Sequence, residues 1–256
     1  MVQMNTKISN KKIFELLKKY PKKRAKLNLN IKKIFEDEYR RNRSNFLSQL
    51  SESWLHYSIK GRKEKNQKTL EIGAGSLNHI PYENLKKKNK YYDVIEPQKF
   101  LYKKSPHKNY INKFYKNIKD TPKHCYDRII SCAVLEHLTD LPRFLYLASN
   151  KLKIKGYHSH SIPCEGYPTW DITWFIMSGI TFKLRTGENF SDIQKHEHVN
   201  NHDEILSLIK FFYKEVEIKY SYPFFFSPYF SFYANINFKN PNKKNILIYK
   251  KKFFKK

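Results

Sequence analysis

Three histidines of this 256-residue chain stand next to glutamates, and their side chains could exchange protons with a substrate. His137 directly follows Glu136, and His196 and His198 lie on either side of Glu197. Histidine is the usual general base for a hydroxyl group because its pKa lies close to neutral pH. His137 follows a predicted strand, and the other two follow an irregular segment where substrate-facing loops are expected. We therefore predict that His137, His196 and His198 are catalytic candidates.

A glycine turn follows the first predicted strand, at Gly73-Ala74-Gly75. Glycine is needed where the backbone turns with positive φ or approaches a ligand closely, and cofactors bind at the first strand-to-helix turn of a doubly wound sheet. A dinucleotide fingerprint would place a third glycine where Asn78 stands. The carboxylate of Glu71 would also repel a pyrophosphate. The turn therefore suits a cofactor that carries a positive amine, although a lone Gly-x-Gly is also common as a simple turn.

A second anchor for a cofactor is Glu96, which ends the next predicted strand 21 residues after Gly75. A carboxylate about 20 residues beyond a glycine turn, at a strand tip, accepts hydrogen bonds from ribose hydroxyls. Together with an amine-tolerant turn, this acid describes S-adenosylmethionine better than a dinucleotide.

Short apolar runs alternate with helical stretches from residue 69 onward, which predicts parallel βαβ units. We predict an α/β fold, a Rossmann-like doubly wound and mostly parallel seven-stranded sheet with an N-terminal helical extension. The extension covers residues 1–66, with Pro21 between two helices. The main domain covers 67–250 with an insertion at 164–201, and 251–256 form a basic tail. Residues 152–156 read as a helix end closed by Gly156.

The net charge of +27 is concentrated on two flanks, +13 over residues 1–68 and +8 over 239–256. Of the basic residues, 42 are Lys and only 8 are Arg, a bias typical of an AT-rich genome. Nucleic-acid binding is therefore disfavoured. No signal sequence, long apolar run or cysteine framework is present, so a cytoplasmic protein with reduced thiols is expected. The aromatic stretch 220–233 beside the basic C-terminus leaves peripheral contact with the inner membrane open.

Five ordered motifs together resemble the class I S-adenosylmethionine-dependent methyltransferases, and most closely the broad type 11 group. The resemblance covers about residues 67–165. The motifs are LEIGAGS (70–76), VIEP (94–97), YDRIISCAVLEHL (126–138), LKIKG (152–156) and SIPCEG (161–166).

This resemblance implies a role for each matching residue at the cofactor. The turn and its acid would flank the methionine part, Glu96 would hold both ribose hydroxyls, and Pro97 would pack near the adenine. Asn117 and Ile118 fall at the adenine edge, where many members have Asp, so Asn117 departs from the pattern. The remaining implied cofactor contacts are Glu71, Gly73, Ala74 and Gly75 at the turn, and Ser131, Cys132 and Ala133 beside the sulfonium.

Other residues are placed at the substrate side. Glu136 and His137 would sit at the mouth of the site, or form only a helix-capping pair. In the insertion, Trp170 would stack on a sugar or pack a small lid, and Arg185 would grip an oxygen-rich acceptor. Glu165 follows the fifth strand on the catalytic edge. The predicted substrate contacts are Glu136, Glu165, Trp170 and Arg185.

No metal site is predicted from the sequence. His158 and His160 alternate on one face of the fifth strand, so that both could be buried or both could face a crossover helix. A His-x-His pair can bind metal, but no acid stands near this pair in the sequence. Cys132 reads as a small core residue rather than a nucleophile.

A second, weaker resemblance, to methyltransferases encoded near bacterial surface-polysaccharide genes, indicates the acceptor class. It implies O-methylation of a sugar nucleotide, glycan or other small molecule. The alternative is an RNA methyltransferase, which the charge favours; methylation of a base amine is disfavoured because no Asn-Pro-Pro-Tyr-type loop follows the fourth strand. The oligomeric state is not predicted. The matching blocks are Asn42–Phe46, Ser51–Ile59, Leu70–Glu83, Ser161–Asp171 and Lys195–Asn200.

Overall fold

The structure is a computed structural model, and it describes residues 10–27, 31, 34, 46–61, 66–223 and 227–254. Most of the predicted second helix before Phe46, including the motif that begins at Asn42, lies outside the described residues.

A seven-stranded sheet forms the centre of the molecule, in the order β3-β2-β1-β4-β5-β7-β6. Strands β1 to β5 pair in parallel, and β7 runs antiparallel to both β5 and β6. This confirms the predicted Rossmann-like, mostly parallel sheet. The strands are β1 (Thr69–Ile72), β2 (Tyr92–Ile95), β3 (Lys113–Tyr115), β4 (Tyr126–Cys132), β5 (Leu152–Pro163), β6 (Tyr213–Pro223) and β7 (Ser231–Pro241).

Helices cover both faces of the sheet, which buries every residue of β1 and β2. Because both sides are buried, the polar side chains of these strands, Thr69, Glu71 and Asp93, are buried together with the apolar ones. The helices in the described residues are α1 (Asn10–Lys18), α2 (Phe46–Ile59), α3 (Lys99–Tyr102), α4 (Leu141–Ser149), α5 (Pro168–Trp174), α6 (Thr181–Thr186), α7 (Phe190–Glu197), α8 (His202–Phe212) and α9 (Lys243–Lys252).

The helix α2 of the N-terminal region packs over β4, β5 and β7 on one face of the sheet. Its end is tied down by Glu83, whose carboxylate accepts a hydrogen bond from the Gly61 amide at 3.0 Å. The same carboxylate lies 2.5 Å from the buried guanidinium of Arg128 on β4. This contact joins α2, the loop after the glycine turn and the sheet.

The opposite face is covered by α4 and α8, whose apolar side chains form the main core with the sheet. Helix α8 begins with a capping box between Asn201 and Glu204. The backbone amides of Asn201 and Glu204 thereby both have hydrogen-bond partners at the start of the helix. This fixed start matters for the site, because the segment just before Asn201 carries the candidate residue His198.

Gly156 does not end a helix, and the prediction for residues 152–156 is wrong. Helix α4 ends at Ser149, and Gly156 lies inside β5 at a shift of register against β4. A Cβ at Gly156 would lie 2.9 Å from the carbonyl oxygen of Tyr126, so the strands approach too closely there for a side chain. The glycine marks a bulge instead.

The C-terminal residues form α9 rather than a last strand or a trailing segment. Tyr249 is 4% exposed, and its ring packs against Phe212 of α8 at 5.1 Å between centroids. Phe254, inside the predicted basic tail, packs against Tyr146 at 4.7 Å. Lysines therefore cover the outer side of a packed helix.

The insertion 164–201 is helical. A π-helical segment, Phe175–Ile180, joins α5 to α6, and α7 follows before the chain returns to α8. Among the described residues, no helix has the length and apolar character needed to cross a membrane.

Candidate active site

The glycine turn is positioned by β1 and opens to one side. The amide of Gly73 donates a 2.8 Å hydrogen bond to the Ile95 carbonyl at the end of β2. Gly73 and Gly75 have φ values of 64° and 51°, in the left-handed region that disfavours side chains. A Cβ on Gly73 would lie 2.7 Å from Val134, whereas a Cβ on Gly75 would meet no atom of the described residues within 4 Å. The turn is thus packed on one side and leaves space beside Gly75.

Glu96 lies directly beside this space. Its carboxylate Oε2 accepts a hydrogen bond from the Gly75 amide, and Oε1 accepts one from the Gln98 amide, both at 2.9 Å. The residue is only 6% exposed. A carboxylate has about four acceptor positions, so each oxygen can accept a further hydrogen bond from a ligand.

Asn117 and Ile118 follow β3 at the same edge of the sheet. The Asn117 side chain caps a 3₁₀ helix, Ile118–Asp120, by accepting a hydrogen bond from the Lys119 amide. Ile118 is buried, whereas Asn117 and Pro97 are exposed. The structure places all three where the adenine end of a cofactor is predicted, and their contacts with it stay predictions.

The end of β4 carries three more of the predicted cofactor contacts. Ser131 is fully buried, and its hydroxyl lies 2.6 Å from His160 Nδ1 in the core. Cys132 is half-buried beside α2. Ala133 has a φ of 51° and its amide donates to the Ser161 carbonyl. The contacts of all three residues with a cofactor stay predictions.

His158 and His160 are both buried, which is one of the two predicted arrangements. His158 Nδ1 lies 3.0 Å from His160 Nε2, and Tyr213 Oη lies 2.9 Å from His158 Nε2. Burial lowers the pKa of His160 to about 3, and burial also lowers the pKa of His158. Both rings are therefore neutral members of a core hydrogen-bond chain.

Glu71 lies on the face covered by α2 and is 3% exposed. Its carboxyl group accepts a hydrogen bond from Tyr92 Oη at 3.0 Å. Burial raises the pKa of Glu71 to about 8, although the bond from Tyr92 acts in the other direction. The group is then protonated at neutral pH, so the charge on which the amine argument depends is missing. Its contact with a cofactor stays a prediction.

Glu136, His137 and His198 form a cluster of titratable groups at this edge of the sheet. One ligand atom from each lies within 4.8 Å of those of the other two. The His137 and His198 rings meet edge to face, with centroids 4.8 Å apart. The structure thus brings together two predicted catalytic histidines that are 61 positions apart in the chain.

Hydrogen bonds hold both imidazoles. His198 Nδ1–H donates to Glu165 Oε2 at 2.7 Å, and the other oxygen of Glu165 accepts from Gln194 Nε2 at 2.8 Å. His137 Nδ1–H donates to the carbonyl of Glu197 at 2.9 Å. In each ring, Nε2 is the nitrogen left for another partner.

The two histidines differ in their affinity for a proton. Burial, with smaller contributions from His198 and Arg24, lowers the pKa of His137 to about 4. Burial also lowers the pKa of His198, but the hydrogen bond and charge of Glu165 outweigh it, so the pKa of His198 is raised overall. His137 is therefore neutral, while His198 is the more basic of the pair.

Glu136 sits behind the histidines rather than at the mouth of the site. It is 1% exposed, and its Oε2 has no hydrogen-bond partner among the described residues. Burial raises its pKa to about 7. Its backbone carbonyl accepts hydrogen bonds from the amides of Val199 and Asn200, which holds the segment after α7 against the end of β4.

A cavity of about 440 Å³ opens beside His198, between the end of β5 and the helices of the insertion. Carboxylates and aromatic rings both line it. Its lining includes Glu165, Asp171, Trp174, Phe175, His198 and Glu204.

Three predicted site residues lie elsewhere. His196 Nδ1–H donates to the Ala25 carbonyl at 2.5 Å, so this ring is directed to the N-terminal segment. Trp170 is buried and stacks on Trp174, with 5.2 Å between the ring centroids. This agrees with the alternative in which Trp170 packs a small lid. Arg185 is exposed on α6 and is not among the residues that line the cavity. The structure gives none of the three a place beside the His137–His198 pair.

Residues that the sequence analysis missed hold the site from behind. The Asn200 side chain donates to the carbonyls of Leu135 and Leu138 at 2.9 and 2.8 Å, and accepts from Tyr20 Oη at 2.6 Å. Arg24 donates to the His137 carbonyl at 3.0 Å. Tyr20 and Arg24 are more than 100 residues from these partners, so no local sequence signal could reveal the contacts.

The aromatic stretch 220–233 is only partly described. Tyr233 packs against Trp54 and Trp170, while Tyr229 and Phe230 are more than half exposed. Peripheral membrane contact stays a prediction.

The chain was compared with known families, curated proteins and solved structures. No family model and no curated protein matches it. It is similar to a solved SAM-dependent methyltransferase of Thermotoga maritima, described as a possible histamine N-methyltransferase, with 14% identity and a TM-score of 0.56, over 80% of this chain and 97% of that one. It is also similar to the plantazolicin methyltransferase BpumL in complex with SAH, with 15% identity and a TM-score of 0.53, over 90% of this chain and 98% of that one. These likenesses show that the chain has the Rossmann-like fold of the two solved methyltransferases.

Proposed function

We propose that this protein is an S-adenosylmethionine-dependent methyltransferase that methylates a hydroxyl oxygen of a small-molecule or glycan acceptor. The observation that carries the proposal is the Glu96 carboxylate, fixed by the Gly75 amide beside the open side of the glycine turn. The methyltransferase fold of the two similar structures supports the assignment of this edge to the cofactor.

The residues at this edge fit S-adenosylmethionine. Glu96 would accept hydrogen bonds from the two ribose hydroxyls, since each of its oxygens has acceptor capacity left. The space beside Gly75 would admit the methionine part close to the backbone. Ile118 would contact the adenine, and Asn117 would take the place of the more usual acid.

The bound cofactor supplies a methyl group on a positively charged sulfur. The chain then has to align the acceptor with that group and exclude water. The cavity beside His198 would hold the acceptor, with Trp174 and Phe175 excluding water. His198 Nε2 would receive the hydroxyl proton, with Glu165 holding the ring through Nδ1.

The cavity lining favours an uncharged, hydroxyl-rich acceptor. Glu165, Asp171 and Glu204 can accept hydrogen bonds from sugar hydroxyls, and Trp174 can stack on a sugar ring. The sequence resemblance to enzymes of bacterial surface-polysaccharide synthesis supports a glycan or sugar nucleotide whose sugar part enters the cavity.

An RNA methyltransferase is the second candidate because the net charge is +27. The acidic lining of the cavity argues against it, since these carboxylates would repel a phosphate backbone. RNA binding that weakens steeply with salt, together with methyl transfer to RNA, would favour this candidate over the glycan.

The first test is calorimetric titration with S-adenosylmethionine and S-adenosylhomocysteine. We expect micromolar binding by the wild type and loss of binding in Glu96→Ala. Glu217→Ala is a matched control because Glu217 is an exposed acid on β6, far from the turn along the sheet. Absence of binding by the wild type, or equal binding by Glu96→Ala, would contradict the proposal. Transfer of a labelled methyl group to sugar nucleotides then tests the acceptor class.

A further inference from the structure

We propose that Glu136, His137 and His198 bind a divalent transition-metal ion, with Zn²⁺ as the first ion to test. Two imidazoles and one carboxylate are a common ligand set for such ions, with coordination positions left open for substrate or water. The sequence alone does not indicate this set as metal ligands, because its members come from the end of β4 and from the end of α7.

The ligand atoms are close enough for one ion. One atom from each residue lies within 4.8 Å of those of the other two. Bonds of about 2.1 Å in tetrahedral geometry separate two ligands by about 3.4 Å, so two ligand atoms have to approach each other by about 1.4 Å at most. His137 and His198 are both partly exposed, so their rings can make this adjustment.

Both histidines already have the outer hydrogen bonds of a metal ligand. A metal-binding imidazole usually donates its second N–H to a carboxylate or a backbone carbonyl, which fixes the tautomer. His198 does so to Glu165 at 2.7 Å, and His137 does so to the Glu197 carbonyl at 2.9 Å. Nε2 of each ring then carries the lone pair that a metal would bind.

Glu136 provides an independent observation. Among the residues that the structure describes, its Oε2 has no hydrogen-bond partner, and the residue is 1% exposed. No lysine or arginine of this part of the chain forms an ion pair with it. A buried carboxylate without a compensating charge is costly. A divalent ion would supply the missing charge.

The open coordination positions would face the acceptor. His198 belongs both to the ligand set and to the lining of the 440 Å³ cavity. A hydroxyl oxygen of the acceptor would be a further ligand of the ion, and this last step rests on the proposed methyltransferase function. With the ion bound, the Nε2 lone pair of His198 is used for the metal, so the ion would take over from the imidazole, lowering the pKa of the acceptor hydroxyl, whose proton would pass to water.

The experiment is a titration of untagged protein, first freed of metal with a chelator, with Zn²⁺. We expect one ion per chain, binding at micromolar concentration or tighter, and a rise in the unfolding temperature on addition of Zn²⁺. Replacement by Co²⁺ should give the visible absorption bands of a low-symmetry nitrogen and oxygen site.

Three variants assign the binding to these residues. Glu136→Gln, which keeps the side-chain shape, and His198→Ala should each weaken Zn²⁺ binding at least tenfold. His124→Ala is the control, because His124 is exposed and lies outside the cluster. Circular dichroism and the unfolding temperature without metal show that each variant is folded.

Either of two results would overturn the metal proposal: no Zn²⁺ binding by the wild type, or equal binding by the wild type and both cluster variants. Metal binding is measured without cofactor, and cofactor binding is measured without metal. A failure of the metal site therefore differs from a failure of the methyltransferase assignment.

Discussion

Glu96 Oε2 accepts a 2.9 Å hydrogen bond from the amide of Gly75, and this contact joins the loops that follow two neighbouring parallel strands. The second oxygen is held by the Gln98 amide at the same distance. The carboxylate is therefore oriented before any ligand arrives, which reduces the entropy that a ligand must lose on binding.

Replacing Glu96 with Gln should weaken S-adenosylmethionine binding by about 10- to 100-fold, since hydrogen bonds to a charged acceptor contribute about 1.5–3 kcal/mol. The amide keeps one acceptor oxygen, so the loss should be smaller than in Glu96→Ala. Calorimetry measures both affinities, and urea unfolding shows whether the fold is intact. Unchanged affinity in a folded Glu96→Gln variant would show that Glu96 does not contact the cofactor.

Alanine at the two glycines of the turn should have different effects. Gly73→Ala places a Cβ 2.7 Å from Val134 and should cost more stability than the about 1–2 kcal/mol of left-handed strain alone. Gly75→Ala carries only the strain, but its methyl group enters the space assigned to the cofactor. We expect Gly75→Ala to weaken cofactor binding at least tenfold, as measured by calorimetry.

Gly187 provides a matched control for Gly75. It has a φ of 78° at the end of α6, and a Cβ there would also meet nothing within 4 Å. Gly187→Ala should lose a similar amount of stability and keep normal cofactor affinity. Equal loss of affinity in the two variants would mean that strain, rather than occupied space, explains the effect at Gly75.

The sheet and the cofactor edge could be predicted because their signals are local. A buried strand, a glycine turn and an acid at the next strand tip lie within about 30 residues, and apolar runs reveal each strand. The prediction for Gly156 failed because it used only the neighbouring residues in the sequence. Its role depends on the Tyr126 carbonyl of a neighbouring strand, and a glycine after a lysine-rich run looks the same in a helix end and in a bulge.

The acceptor side could be predicted only in part. The pairing of His137 with His198 depends on how the insertion folds back on the sheet, which its irregular sequence does not specify. The protonation of these side chains also depends on burial, which raises the pKa of Glu136 to about 7. Arg24 and Tyr20 reach the site from the N-terminal segment, and their contacts are set by tertiary packing alone.

Glu71 should make stability depend on pH. Burial raises its pKa to about 8 from about 4.5 in the unfolded chain. Its contribution to the free energy of unfolding is therefore fully present below pH 4.5 and is lost as the pH rises toward 8. Glu71→Gln replaces the protonated group with a neutral one of similar shape and should remove this loss. Urea unfolding between pH 5 and 8 should show a flatter profile for the variant, and Glu217→Gln should follow the wild type.

A wild-type stability that does not fall relative to Glu71→Gln between pH 5 and 8 would contradict the raised pKa. A tenfold difference in proton affinity between the folded and unfolded states changes the free energy of unfolding by about 1.4 kcal/mol, which urea unfolding can measure.

Glu165 should affect turnover through His198. Glu165→Gln replaces the carboxylate that receives the His198 Nδ1–H bond and should lower kcat for methyl transfer about 10- to 100-fold. Cofactor affinity should not change, because Glu165 lies on β5's side of the site rather than at the glycine turn. A variant with wild-type kcat would show that the Glu165–His198 bond has no part in the reaction.

Arg24 should act as a positioning residue for His137. Its guanidinium donates to the carbonyls of His137, His196 and Glu197 at 3.0, 3.0 and 3.2 Å, and so holds the loop before α4 against the end of α7. Arg24→Ala should lower kcat about tenfold while the cofactor affinity stays the same.

Lysine at this position tests whether geometry or charge matters. A lysine ammonium cannot reproduce the planar fork that reaches three carbonyls on two segments, so Arg24→Lys should not restore kcat. Lys23→Ala is the control, since Lys23 is an exposed neighbour. Full activity in Arg24→Lys would mean that a positive charge near His137 is sufficient. Loss of cofactor affinity in Arg24→Ala would instead mean that the N-terminal segment supports the whole edge of the sheet.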